Sequence, residues 1–377
     1  MSIQGDIKQN LLRFGGYTLA KHIYGRIEQY QLMQRIRKFL KTGTLPLPDM
    51  MMFEVTQRCN LRCKMCFQDR EILANSHDEL STEQIIDFFD HQPYLKKITL
   101  IGGEIFVRKD MLDLICHLDQ TRNLVLSTNA TLLDEAKIAM LKKCRNIVTI
   151  CISLDGPPEI HDAIRRVPGS YDKTVRTIQA LTPMFPVTVS GIISNENIEM
   201  LPEMVNKCAA LGVKKLKFEL ERIYHEEGKS QAIAETGLQS DDLPISSAGR
   251  QREYSGEKLQ STLRECQNRG QRAGIYVMFD PFFLMENIDA CYAGNLRTRK
   301  NYVCKSFRMA TLAPNGDVIN CFAIRKPFGN ILKAPFDTIW NSEIAVTYRR
   351  ELLRNNLTPL CENCPFMIAY QKNLSFT

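Results

Sequence analysis

No uninterrupted apolar run in the 377 residues approaches the 18 or so needed to cross a bilayer, so a transmembrane helix is excluded. The N-terminal stretch MSIQGDIKQN also lacks the apolar segment that export needs. Thirteen cysteines without such a signal point to a reducing, cytoplasmic location, where thiols act as metal ligands or as core residues. Strong charge of one sign is missing from most of the chain. Residues 1–46 hold eight Lys/Arg against Asp6 and Glu28, which leaves only +1 of the formal +7 for the other 331 residues. A nucleic-acid groove across the main body is therefore not expected.

Within the basic segment, Leu19, Ile23, Ile27, Tyr30, Met33, Ile36 and Leu40 recur at steps of three and four, which predicts a helix ending at Gly43 and Pro46. That helix is expected to pack its stripe on the protein with a solvated basic face; peripheral contact with a membrane surface or a dimer contact would use the same features. From Met50 onward short apolar runs at 51–56, 97–102, 123–128, 147–154, 186–193 and 214–220 alternate with helical patterns. Parallel neighbours need crossovers of this length, so six parallel strands are predicted. Residues 222–255 are polar and Gly/Ser-rich and read as a loop or mobile insertion, followed by a helix near 257–269 and a strand near 275–279. The tail carries a hairpin pattern, ATLAPNGDVINC, turning at Gly316, and then a helix containing Trp340, the one tryptophan. Four regions follow: an N-terminal helical segment (1–46), an α/β body (47–221), a polar insertion with one helix and strand (222–290), and a small C-terminal unit (291–377).

The densest chemistry lies in Cys59-Asn60-Leu61-Arg62-Cys63-Lys64-Met65-Cys66, three cysteines at spacings of four and three. Three thiolates in one short loop can hold three irons of a [4Fe-4S] cube and leave the fourth open. Zinc generally takes four ligands in C-x2-C pairs or with His, and no His lies nearer than His77. Other cysteines, Cys116, Cys144, Cys151, Cys208 and Cys266, fall in apolar patterns and read as core.

The triplet, just after a first strand, resembles the CxxxCxxC signature of the radical S-adenosylmethionine (SAM) superfamily. Gly102-Gly103-Glu104 after the second strand resembles the family's GGE segment at the SAM amino group; the glycines would let backbone approach a ligand, and Glu104 could pair with its ammonium. Ser127 and Asn129 at the third strand's end resemble SAM-facing positions, as do Ser153 and Asp155 at the fourth; Ser153 would meet the ribose. The stretch with His161, Asp162 and Arg165 is similar to a subgroup with auxiliary clusters, and Met65 stands where relatives place an aromatic beside adenine. In the tail, Cys304, Gly316, Cys321, Trp340, Cys361 and Cys364 resemble a SPASM domain cut short, since Tyr370 replaces a further cysteine. This twitch form implies one auxiliary [4Fe-4S] cluster on Cys304, Cys321, Cys361 and Cys364. Zinc on four thiolates is the alternative there, and Cys291 could replace Cys304.

The resemblance implies an α/β partial (β/α)6 barrel with a small C-terminal α+β twitch domain. It further implies SAM, a SAM-binding [4Fe-4S] cluster, an electron donor such as flavodoxin or ferredoxin, and hydrogen-atom abstraction from a small-molecule or peptide substrate by a 5'-deoxyadenosyl radical. Alternatives are a peptide-modifying enzyme served by a separate leader-binding partner and a non-catalytic iron–sulfur or zinc protein. Sulfatase-maturing relatives carry an acid after the cysteine matching Cys321, where this chain has Phe322. Asp280, in FDPFF, is the candidate catalytic substitute.

Overall fold

The computed structural model describes residues 17–66, 78–243, 251–281, 284–293, 302–362 and 364–369. Ten strands form one sheet in the order β11-β10-β9-β1-β2-β3-β4-β5-β6-β7. The parallel run comprises β1 (Met50–Glu54), β2 (Lys97–Ile101), β3 (Asn123–Thr128), β4 (Ile147–Ser153), β5 (Val187–Ile193), β6 (Lys215–Leu220) and β7 (Tyr276–Asp280). Its crossovers carry α2 (Thr82–Asp90), α3 (Met111–Asp119), α4 (Glu135–Leu141), α5 (Pro158–Arg165), α6 (Ser170–Leu181) and α7 (Leu201–Ala210). Local sequence sets these starts: Ser81 caps α2 and exchanges bonds with Gln84 in a capping box, and Asp134 caps α4. Alternation then sorts each strand's side chains. On β6, Leu216, Phe218 and Leu220 are buried while Lys215, Lys217 and Glu219 occupy the opposite face.

Two regional boundaries shift. The strand placed in the 222–290 insertion is β7, which extends the parallel sheet beside β6 rather than standing apart from it. The hairpin of the C-terminal unit joins the sheet as well: β9 (Met309–Leu312) pairs parallel with β1, and β10 (Asp317–Ile319) and β11 (Pro327–Asn330) follow antiparallel. Six strands become eight in the parallel run because hydrogen-bonding capacity on both edges of the six is taken up by later segments. Gly316 sits at the hairpin turn with φ +88°, as that turn requires.

Residues 222–255 also differ from the loop expected. Glu226–Thr236 is a helix (α8), with Ala232 and Thr236 buried and Leu238 and Leu243 packed after it. Its signals are electrostatic and conformational: Glu226 and Glu227 in the first turn and Gly237 at a left-handed C-cap. A polar composition hid them.

The N-terminal helix α1 (Tyr17–Thr42) is present, but the buried face is Leu32, Met33, Ile36 and Phe39. Ile27, Tyr30 and Leu40 of the expected stripe are exposed, at 42%, 64% and 48%; the side chains of Leu19 and Ile23 lie outside the described set, as does Tyr370. The face is chosen by tertiary contacts. Arg35 donates to the carbonyls of Phe307, Pro46 and Leu47, and Phe39 meets Phe307 edge-on, so the helix turns toward the C-terminal region. Among the described residues no helix is long and apolar enough to cross a membrane.

Candidate iron–sulfur and SAM site

The cysteine loop leaves the C-terminal end of β1, the end where parallel sheets bind ligands. It is stitched to β2 by two bonds beyond the ladder, Gly103 N–H to the Thr56 carbonyl (2.9 Å) and Glu104 N–H to the Arg58 carbonyl (2.9 Å). This contact explains both glycines. A Cβ on Gly102 would lie 2.3 Å from the Thr56 carbonyl oxygen, and one on Gly103 would lie 2.2 Å from that of Arg58. The protein's own loop makes a close approach to both glycines.

Leu61 anchors the loop in the core at 1% exposure, and the Lys64 amide bonds the Ile164 carbonyl (2.9 Å). Cys59, Cys63 and Cys66 remain half-buried, with Met65 half-buried on the turn between the last two. Asn129, after β3, donates its side-chain amide to Asn60 (2.9 Å), and Asn60 donates to Thr131 (2.8 Å). The β3 end is thus clasped to the cysteine loop through Asn60, which lies inside the cysteine motif and was passed over as a spacer.

Glu104 is 1% exposed, and its carboxylate accepts from Thr128 Oγ1 (2.6 Å), the Asn129 amide (2.6 Å) and the Phe106 amide (3.2 Å). Burial raises its pKa while these bonds oppose the rise. Its visible work is to tie β2 to β3. Ser127 and Ser153 lie on the less buried face of β3 and β4, Ser153 paired in register with Ser190 of β5.

Asp155 is fully buried and accepts from Arg165 Nε (2.6 Å) and the Ile192 amide (3.2 Å). Arg165 in turn directs Nη1 at Cys63 Sγ, 3.5 Å away. Burial works against the Arg165 charge, but Asp155 and Cys63 more than offset it and raise its pKa; burial pushes the Cys63 thiol up, with Arg165 opposing. A buried cation therefore stands beside one of the three thiols. His161 is 1% exposed; burial first, against the pull of Asp155, lowers its pKa to about 4. Its Nδ1 accepts the Asp155 amide (3.2 Å), so the ring is neutral and orders the loop instead of pairing ionically with the Asp155 carboxylate at 3.5 Å. The depressed value favours folding fully above pH 6.5, and that contribution is lost as pH falls toward 4. Between pH 7 and 5, metal-free wild type should lose about 2 kcal/mol more unfolding free energy in urea than His161→Asn, whose amide can accept the same bond. Equal losses would remove His161 from this account.

The second thiol set is assembled across the chain. β8 (Tyr302–Cys304) pairs with β12 (Met367–Ala369), Met367 opposite Cys304, and the Met367 amide bonds the Cys364 carbonyl (3.2 Å). Cys321 ends the hairpin region and Cys361 closes a short 3-10 turn. Burial raises all four thiols, Cys361 to about 12, and their fields act on one another: Cys304, Cys321 and Cys361 each raise Cys364. Cys304 thus acts on the other three thiols, and Cys291 is buried on a short helix, Ile288–Ala293. Arg222 and Tyr224, just beyond β6, also act on Cys364. Among the described residues no three His, Cys, Asp or Glu groups are gathered as a single-ion site. Four buried thiols that act on one another, with Arg222 acting on Cys364, are the donor type and number that an iron–sulfur cube takes.

The less buried face of β5–β7 carries charge. Lys217 Nζ is 2.6 Å from Glu219 and 3.5 Å from Asp280, and Ser190 donates to Glu219 (3.0 Å). Burial alone would raise Glu219, but Lys217 and then Arg222 hold it at about 2, whereas burial dominates at Asp280 and pushes it up. Arg325, four residues past Cys321, pairs with Glu54 at the end of β1 (2.7 Å). Phe322, next to Cys321, is buried against Phe366. Lys217, Glu219 and Arg325 had no local signature to mark them.

Residues 53–208 match the Radical SAM superfamily, and residues 304–365 match SPASM, an iron–sulfur cluster-binding domain. The antilisterial bacteriocin subtilosin biosynthesis protein AlbA of Bacillus subtilis (strain 168) is 31% identical over 190 residues, covering 47% of this chain and 40% of that protein. An AdoMet-dependent heme synthase of Nitratidesulfovibrio vulgaris is 23% identical over 340 residues, 85% and 86% of the two chains. The crystal structure of Streptococcus suis SuiB superposes with a TM-score of 0.63 at 13% identity, over 94% of this chain and 86% of that one. The chain spans less than half the length of AlbA and of a second heme synthase, from Methanosarcina barkeri (strain Fusaro / DSM 804), which it matches at 29% identity over 44% of this chain. Both iron–sulfur motifs fall within these matches: residues 53–208 carry a radical SAM domain and residues 304–365 a SPASM-type domain.

Proposed function

We propose that the protein is a radical SAM enzyme that abstracts a hydrogen atom from a polar small molecule or a peptide segment. The observation that carries this reading is the cysteine loop at the β1 end, clasped by Asn129 and Arg165, in a chain that also holds a second set of four mutually interacting thiols. Cys59, Cys63 and Cys66 would hold one [4Fe-4S] cluster, and Cys304, Cys321, Cys361 and Cys364 the other. When bound and reduced, the first cluster with SAM supplies a 5'-deoxyadenosyl radical.

This chain's residues bind and orient. Arg165, fixed by Asp155, would offer a guanidinium to the SAM carboxylate beside Cys63. Glu104 of the Gly102–Glu104 segment would pair with the SAM ammonium, Ser127 and Asn129 would face SAM, Ser153 would meet the ribose, and Met65 would give adenine an apolar contact. Lys217, Glu219, Asp280 and Ser190 form one polar, charge-paired cluster across β5–β7, which would favour a substrate bearing hydroxyl, amine or amide groups over a purely apolar one. Asp280, the carboxyl farther from Lys217, is the group of that cluster that would take up a proton. Because four thiolates are available in the SPASM-type domain, every iron of one cube there has a protein ligand, which supports electron transfer over substrate ligation. A flavodoxin or ferredoxin would supply electrons.

A peptide substrate draws its support from the likeness to AlbA, a bacteriocin biosynthesis protein, and from SuiB, solved with its precursor peptide SuiA. The expected result is about eight irons per chain after anaerobic reconstitution and release of 5'-deoxyadenosine from SAM under reduction. Zinc in place of the second cluster, or intact SAM with both clusters loaded and reduced, would refute the reading.

A further inference from the structure

Away from both thiol sites, Cys116 and Cys144 hold their sulfurs 3.8 Å apart. Cys116 lies on α3, which runs from the end of β2 back to the start of β3; Cys144 follows α4 and precedes the start of β4. The pair thus sits at the base of the sheet, at the end opposite the cysteine loop. What holds it is Asp119, one turn beyond Cys116 on the same helix. Its carboxylate accepts from the amides of Arg145 and Asn146, both at 2.7 Å, and its carbonyl accepts from the Asn146 side chain at 2.5 Å. Asp119 is itself buried, at 7% exposure, so the clamp is not loosened by solvent. The segment after Cys144 is thereby fixed to the helix that carries Cys116, with the sulfurs 3.8 Å apart and the about 2.0 Å of a disulfide still to be reached.

We propose that Cys116 and Cys144 form an oxidation site, a thiol pair that reacts with a peroxide to give a disulfide while the ligand cysteines stay committed to their clusters. Cys116 is partly accessible and Cys144 is buried at 8% exposure. Burial, and then Cys116 itself, pushes the Cys144 thiol up to about 12, so the accessible sulfur is the one that meets the oxidant. The Cys116 thiolate attacks one oxygen of hydrogen peroxide, the O–O bond breaks, and a sulfenic acid forms with release of hydroxide. Cys144 sulfur then displaces the hydroxyl from Cys116, its proton leaving with that oxygen as water. Two thiols and one peroxide give one disulfide and two waters.

The test uses the full chain with clusters loaded, exposed anaerobically to one equivalent of hydrogen peroxide, then alkylated, digested and mapped by mass spectrometry. A peptide linked through Cys116 and Cys144 should appear before the iron–sulfur absorbance falls. In Cys144→Ser the link is absent and dimedone should instead label Cys116 at least ten-fold more than in wild type, because nothing resolves the sulfenic acid. Other disulfides forming first, or both thiols still open to alkylation after the clusters have bleached, would overturn the proposal; neither result bears on SAM cleavage.

Discussion

Replacing Cys59, Cys63 and Cys66 together by alanine should remove about half of the roughly eight irons and all formation of 5'-deoxyadenosine. The remaining thiols are positioned by other elements, the β8–β12 pair, the β10–β11 hairpin and the turn at Cys361, so their cluster should survive with its own paramagnetic signal. Iron by colorimetry and the reduced-state spectrum measure this directly. If iron falls to zero the two sites are one folding unit, and if it stays near eight the loop does not bind a cluster.

Gly103→Ala should be nearly as damaging although it removes no ligand. A methyl group 2.2 Å from the Arg58 carbonyl oxygen and 2.7 Å from that of Gln57 meets backbone, which no rotamer can relieve, so the loop must move away from β2. Overpacking of this kind costs roughly 1–3 kcal/mol, and the displaced loop carries the three thiols. First-cluster iron should drop by more than half, with SAM cleavage at least a hundred-fold down, while Gly25→Ala, with nothing within 4 Å, should leave both unchanged. Normal iron with lost SAM affinity by calorimetry would instead show that Gly103 makes room for the ligand.

The cysteine motifs and six strand–helix alternations were legible because their signals are local: spacing in one loop, and short apolar runs alternating with helical periodicity. Arg165 and Asp155 were legible as residues but not as a relay to Cys63, a contact over 102 positions. The Lys217–Glu219–Asp280 cluster depends on β6–β7 register, and the Glu54–Arg325 pair on β9 finding β1. On α1 the stripe misled because two apolar faces compete and Arg35, read only as a basic residue, decides which one docks.

The parallel partnership of β1 with β9 bears on how the chain is made. Asp49, beside β1, holds both nitrogens of Arg308, beside β9, across 259 positions, at 3.0 and 2.7 Å. During synthesis at about 5–20 residues per second, the first strand therefore waits on the order of ten seconds or more for its outer neighbour, with a row of amides and carbonyls open to any passing strand. Nascent chains stalled before residue 309 should need a chaperone to stay in solution, and a fragment ending at Asp280 should aggregate through that uncovered flank even though it contains the whole cysteine loop.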